Sequence, residues 1–216
     1  TVVFVVFFGN VAGFDETTTS YAAFALSALV GWQFLSAIVG TGALSIVHEE
    51  ALIHKVYFPR LAPLLARVLG SGPNLLIGIA TLVVLAPVVD GQLSLELLLL
   101  PIPVIGLALA GLSVATPIAA LSVYLRDFRV LVPFLLQIWL FASPVVYPLT
   151  ALETKQRLYA LLNPAVGPLD AVRRIYVEAE TPDFVLLGLS GVSAICLLLI
   201  GFEIYRRLEP GFADVI

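Results

Sequence analysis

The 216-residue sequence contains no methionine, one cysteine, two histidines and only 12% charged residues. Each scarcity removes a class of function. The single cysteine, Cys196, stands within an apolar run; it closes no intrachain disulfide, reports nothing about redox compartment and reads as a packing residue. Soluble domains carry about 25% charged residues. Half that fraction, with 60% hydrophobic residues and a mean hydropathy of +1.06, places the chain in a lipid bilayer. The net charge of −4 includes no run of like charge, so nothing resembles a nucleic-acid surface. There is no GxxxxGK[ST] phosphate loop, no HExxH, no pair of intramembrane carboxylates and no serine beside a histidine and an aspartate. No catalytic residue and no cofactor is therefore assigned to this chain. His48 and His54 lack a third ligand, so no metal is assigned either.

What is present is a series of apolar runs of roughly 20 residues, the length of a transmembrane helix, without the strict alternation of a barrel strand. The expected fold is all-α, a polytopic helical bundle. Thr1 to Phe14 is apolar with no charged opening and no small-residue cleavage site, and it reads as the second half of a truncated spanning helix. Complete spans are expected at Tyr21–Val47, Val68–Val89, Leu97–Tyr124, Val130–Tyr147 and Phe184–Tyr205. Residues 150–183 are too polar to span and hold two proline-bounded helical patterns.

Orientation follows from basic residues, which are retained on the cytoplasmic side in short loops. The loops at 48–67, 125–129 and 206–216 contain Lys55, Arg60, Arg67, Arg126, Arg129, Arg206 and Arg207, and are expected to be cytoplasmic. The opposite loops contain Asp15, Glu16, Asp90 and Glu96. Lys155, Arg157, Arg173 and Arg174 then fall on the outer side, where acidic residues outnumber them. Small residues four apart, as in Ser27/Gly31, Ser36/Gly40 and Gly106/Ala110, permit close helix approach.

Ion-driven transporters place Asp, Glu or Lys in mid-span. These spans have none; Glu203 lies at the rim beside Arg206, where an interfacial ion pair is the simpler reading. Energy for transport would then come from another protein. The break from His48 to Arg67 suits such a grip: Glu49, Glu50, His54 and Lys55 can face water while Leu52, Ile53, Val56 and Phe58 face apolar partners. An interfacial anchor fits the same pattern. In the outer segment Asp170 with Arg173 and Arg174, and Arg174 with Glu178, have helical spacing and read as surface pairs. Phe134, Trp139, Phe141 and Tyr147 supply rings along the fifth span for sugar stacking or for lipid contact, with Tyr147 favoured as a channel residue.

Five motifs occur in order: Leu52-Ile53-His54-Lys55-Val56-Tyr57-Phe58-Pro59-Arg60; Tyr124-Leu125-Arg126-Asp127-Phe128-Arg129; Gln137 followed by Phe141-Ala142-Ser143-Pro144-Val145-Val146-Tyr147-Pro148; Leu162-Asn163-Pro164; and Phe212-Ala213-Asp214-Val215-Ile216. With these the whole chain resembles the permease subunits of ABC-2 type polysaccharide exporters. The resemblance implies one permease domain over 1–216, a six-helix bundle truncated in its first helix, in a bacterial cytoplasmic (inner) membrane with a cytoplasmic C-terminus. It implies a homodimer that binds two copies of a separate ATPase, which holds the ATP and Mg, and exports lipid-linked O-antigen, capsular or teichoic-acid chains.

By the same resemblance the loop at 48–67 is the ATPase-coupling loop, contributing His48, Glu49, Glu50, Leu52, Ile53, His54, Lys55, Tyr57, Phe58 and Arg60. Arg126, Asp127 and Arg129 form a second cytoplasmic turn. Residues 150–183 become re-entrant outer helices at about Ala151–Leu162 and Val166–Glu178, with Arg157, Asn163, Arg173 and Arg174 as an outer gate. Phe134, Trp139, Phe141 and Tyr147 are candidates for the translocation path. Two features depart from the family: its cytoplasmic amphipathic helix has no counterpart here, and Asn74 stands where relatives often carry an acid. A permease for a small lipid or drug would share this architecture. A membrane-embedded enzyme acting on lipid-linked sugars would need a polar cluster, to which only Arg126-Asp127-Arg129 comes near.

Overall fold

A computed structural model describes residues 21–49, 61–87, 91, 94–125, 127–149 and 155–212. Among them there is no strand, and the architecture is an all-α bundle. Its elements are α1 (Tyr21–Gly42), the short α2 (Ser45–His48), α3 (Ala62–Gly70), α4 (Gly72–Leu85), a 3₁₀ turn (Leu95–Leu99), α5 (Pro101–Tyr124) and α6 (Phe128–Ala142), then α7 (Gln156–Leu162), α8 (Val166–Arg173), a π turn (Arg174–Glu178) and α9 (Phe184–Leu208).

Four stretches of helix are long and apolar enough to cross a membrane: α1, α3 with α4, the 3₁₀ turn with α5, and α9 with the turn that follows it. The shorter α6 has 15 residues, about 22 Å at 1.5 Å per residue, against a hydrocarbon core of about 30 Å. The expected half-span Thr1–Phe14 lies outside the described residues.

Several boundaries differ from expectation, and three of them shape the ends of the bundle. The second span stops at Gly42, well before Val47, and the chain turns into α2. The third starts at Ala62 with Pro63 in its first turn, where proline's fixed φ and missing N–H suit a helix start; Arg67, within the expected polar break, is already helical. The fifth ends at Ala142, because Ser143 precedes Pro144 and adopts an extended conformation (φ −105°, ψ 152°).

Within apolar helices a hydroxyl needs a local partner, and here it finds one: Ser27 donates to the Phe24 carbonyl (2.9 Å), Thr41 to Ala37 (2.7 Å) and Thr116 to Leu112 (2.7 Å). α5 is the hub, packed on α1 and α9. Close approach depends on small residues. A Cβ on Gly111 would sit 2.8 Å from Ile38, and one on Gly201 would sit 2.6 Å from the Pro117 ring. The central core joins Trp32, Leu35, Ile38, Leu107, Leu169 and Ile175. Of α6 only Val132 is buried, so most of that helix faces outward.

Candidate functional site

Two polar and aromatic clusters close the bundle at opposite ends. At one end the chain leaves α6 through Ser143-Pro144 and enters α8 through Asn163-Pro164. A residue before proline is driven out of the α region, and Asn163 is extended (φ −126°, ψ 109°) with its side chain turned inward, 7% exposed. Its Oδ1 accepts from the Ala165 N–H (3.1 Å) and from the Trp139 indole N–H (3.1 Å). Its Nδ2 donates to Ser143 Oγ (3.1 Å) and to the Ala142 carbonyl (3.4 Å). One carboxamide thus fastens the end of α6 to the α7–α8 corner.

Every residue of α8 is buried. Gly167 lets it lie on α9: a Cβ there would stand 2.5 Å from the Leu186 carbonyl oxygen, while the Gly167 N–H donates to Ser190 Oγ (2.9 Å). Arg173 is 3% exposed. Its guanidinium donates to the Pro144 carbonyl, lies 3.9 Å above the centre of the Phe24 ring and stands 3.7 Å from the Asp170 carboxylate. Burial pushes Arg173 down to about 10, with Asp170 opposing, so it stays a cation at neutral pH. Burial likewise holds the Asp170 carboxyl above its ordinary range, and Arg173 and Arg174 pull it back.

Arg174 is half-buried and pairs with Glu180 (2.6 Å) and Glu178 (3.8 Å). Asp170, Arg173, Arg174 and Glu178 line a pocket of about 240 Å³ with Gln156 and Asp183. The expectation of ordinary surface pairs is corrected for Arg173 and Asp170: their helix is wedged against α1, α5 and α9, so the pair is internal. For Arg174 with Glu178 it holds. Arg157, the fourth expected outer residue, is exposed on α7 and has no ion pair among the described residues.

The four aromatics proposed for a path do not share a face. Phe134 and Phe141 are exposed, 59% and 56%, on the outward side of α6. Trp139 turns inward, its ring edge-on to Trp32 (5.5 Å, 84°), and the Tyr147 hydroxyl donates to that of Tyr159 (3.5 Å). Sequence reasoning missed Phe24, Ser143 and Tyr176; the Tyr176 hydroxyl ties the π turn to the Leu82 carbonyl (2.7 Å). The two residue–proline steps, each fixing an extended corner, were the available signal.

At the other end α2 carries the chain toward the expected coupling loop. His48 is exposed, and Glu49 pairs with Arg67 of α3 (3.2 Å). Glu50, Leu52, Ile53, His54, Lys55, Tyr57, Phe58 and Arg60 lie outside the described residues, as does Arg126; Asp127 and Arg129 are exposed. Beside α2, Ile46, Ala119, Ala120, Val123, Tyr205 and Phe212 form one buried cluster. Tyr205 meets Phe212 edge-on at 5.5 Å, Tyr124 donates to the Leu208 carbonyl (2.8 Å) and Ser122 to the Ala43 carbonyl (2.7 Å). Glu203 pairs with Arg206 (3.1 Å) and Arg207 (2.8 Å), the rim ion pair expected. Among the described residues no three His, Cys, Asp or Glu side chains converge to hold a metal ion.

The bundle is closed by a buried polar cluster at the Asn163 end and by an apolar, aromatic one at the Phe212 end, and comparison gives its class: the chain belongs to the ABC-2 type transporter family, whose profile matches residues 1–177. It is similar to the O-antigen export system permease protein RfbA of Myxococcus xanthus, with 28% identity over 204 residues, 93% of this chain and 78% of that protein.

Proposed function

We propose that this protein is the permease of an ATP-driven exporter that moves lipid-linked polysaccharide outward across the cytoplasmic membrane. Two copies pair around a central path, and two copies of a separate ATPase, which binds ATP and Mg, press on the 48–67 loop from the cytoplasm. The observation that carries this reading is the 28% identity to an O-antigen export permease over nearly the whole chain.

Two physical features support it. Along the described spans the only Asp, Glu, Lys or Arg side chains stand near helix ends, so ion coupling has no mid-membrane group to titrate. At α2, from which the loop leaves, a buried contact set joins α2, α5 and α9, a stiff base on which a push can act. In this orientation the Phe212 end is cytoplasmic and the Asn163 end is the outer mouth, with Asn163, Arg173 and Arg174 shaping its floor.

The test is charge reversal at Glu49, Glu50 and Lys55 together, read as ATPase copurification and as surface glycan. Loss of both is expected; survival of both overturns the coupling assignment. Glycan retained inside a deletion strain, restored to the surface by the intact gene, separates polysaccharide from a small lipid or drug as cargo.

A further inference from the structure

The pocket of about 240 Å³ at the Asn163 end carries charges of both signs, with Asp170, Glu178 and Asp183 sharing its wall with Arg173 and Arg174. Several of these groups have bonding capacity left over. Asp170 is 8% exposed and stands 3.7 Å from Arg173, yet among the described residues its carboxylate receives no hydrogen bond, and its oxygens are not sealed from the pocket. A buried carboxylate ordinarily accepts several. Asp183 spends only Oδ1 on capping α9, through the N–H groups of Val185 (2.9 Å) and Leu186 (3.1 Å). Arg174 donates Nη2 to Glu180 (2.6 Å), and its Nε has no acceptor among the described residues.

The depth of the pocket follows from α9. Asp183 caps that helix, whose 25 residues run about 37 Å, more than a hydrocarbon core of about 30 Å. The cap therefore lies at the level of the lipid headgroups. Phe184 and Val185, beside it in the first turn, are 60% and 54% exposed, so lipid reaches the edge of the pocket.

The chemistry of the wall selects among ligands. A simple anion would meet an excess of carboxylates, since Glu180 adds a fourth to the three on the wall. A metal ion would need its ligands brought together, and among the described residues no three acids converge. A quaternary ammonium is held by aromatic faces, but Phe24, the one ring on the wall among the described residues, already has the Arg173 guanidinium 3.9 Å above its centre. A primary ammonium, with three donors, matches the open carboxylate oxygens, and a phosphate beside it matches the remaining N–H groups of Arg174. The volume of about 240 Å³ is below the roughly 300–1,000 Å³ of pockets for drug-sized ligands, which suits one headgroup. We propose that this pocket binds the phosphoethanolamine headgroup of a membrane lipid, with Asp170, Glu178 and Asp183 taking the ammonium, Arg174 the phosphate, and the acyl chains lying on the lipid side of α9. The cargo of the exporter plays no part in this inference; only the leaflet, the outer one, follows from the orientation proposed above.

The experiment titrates the full chain, purified in detergent, with phosphatidylethanolamine, phosphatidylglycerol or phosphatidylcholine of identical acyl chains and counts bound lipid by native mass spectrometry. Phosphatidylethanolamine is expected to bind about tenfold more tightly than either of the others, the worth of one hydrogen bond to a charged group. Glu178→Gln and Arg174→Gln, both at partly exposed side chains, should each remove most of that preference with helical content unchanged. Arg157→Gln, on α7 and outside the pocket, should leave it intact. Asp170→Asn should remove it as well; because that change also unpairs Arg173, the Glu178 and Arg174 variants decide the matter if it fails to fold.

Equal binding of phosphatidylethanolamine and phosphatidylcholine would overturn the ammonium site, and equal binding of all three lipids would overturn any selective site. Retention of the preference in both Glu178→Gln and Arg174→Gln would move it away from this pocket and overturn the assignment. Displacement of the lipid by soluble phosphoethanolamine at equal concentration would make the ligand a soluble one and overturn the lipid.

Discussion

Removing the carboxamide of Asn163 should uncouple α6 from the α7–α8 corner, and the cost can be worked from its four contacts. Asn163→Ala leaves the Trp139 indole N–H and the Ala165 N–H without their acceptor, and Ser143 Oγ without its donor, in a site 7% exposed. An orphaned buried polar group costs about 1–3 kcal/mol; water entering a space the size of an amide recovers part of this, so about 3 kcal/mol is expected for the substitution. The part due to the indole is separable. Trp139→Phe deletes that N–H and also weakens the edge contact with Trp32 (5.5 Å), but the second effect appears in both backgrounds and cancels in a double-mutant cycle. The Trp139–Asn163 coupling should be about 1 kcal/mol. Unfolding of the purified chain in mixed micelles, followed by circular dichroism, measures all four corners of the cycle. Additivity within about 0.3 kcal/mol would show that the hydrogen bond does not hold α6 in place.

Three further outcomes follow from the same end of the bundle. Gly167→Ala forces a methyl to within 2.5 Å of the Leu186 carbonyl oxygen and should cost about 1–3 kcal/mol, whereas Gly188→Ala, with nothing within 4 Å, should be neutral or stabilising by about 0.5 kcal/mol; the same unfolding assay compares them. Arg173→Met strands the Asp170 carboxylate and the Pro144 carbonyl and should cost about 3–5 kcal/mol, while Arg173→Lys keeps the charge but loses the planar fork and should cost less; tolerance of methionine would refute the buried pair. Burial holds the carboxyls of Asp170 and Glu178 above their ordinary range against the pull of neighbouring arginines. Between the ordinary carboxylate value near about 4 and the raised ones, the folded state binds more protons than the unfolded, so stability falls as pH rises through that window and levels off above it. Hydrogen exchange of amides 166–178, corrected for intrinsic rate, should show more protection at about pH 5 than at about pH 7, and Glu178→Gln should shrink the difference.

The spans were legible because hydropathy is a one-dimensional property: Tyr21–Gly42, Pro101–Tyr124 and Phe184–Leu208 are long runs that only a helix can carry through lipid. Hydropathy misleads where an apolar run continues past a backbone constraint. Val145, Val146 and Tyr147 extend the run of α6, yet Pro144 had already bent the chain at Ser143. Polarity misleads in the opposite sense at Arg67, whose charge reads as loop until Glu49 is seen to neutralise it on the helix. At the candidate site, spacing identified Asp170 and Arg173 as neighbours, but their burial depends on α8 being wedged against three other helices. Asn163 likewise acts as a hub only because Trp139 and Ser143, remote in sequence, are folded onto it.

The two arms that flank the 48–67 loop give the proposed push a physical route into the bundle. The loop leaves the bundle from α2, just after α1, and returns through α3, with Glu49 and Arg67 paired across its base. Those two arms continue into α1 on one side and the α3–α4 span on the other. The α1 arm is held to the core near the loop, because Ser122 of α5 donates to the Ala43 carbonyl and Ile46 is packed with Phe212. The α3 arm is held less firmly: Leu64 is the only buried residue of α3, and Leu82 the only one of α4. Under the proposed coupling, a force on the loop would displace the weakly held α3–α4 arm against a fixed α1. That shear would slide α4 along α1, against which it packs, so the stroke that reaches the loop would carry into the middle of the membrane.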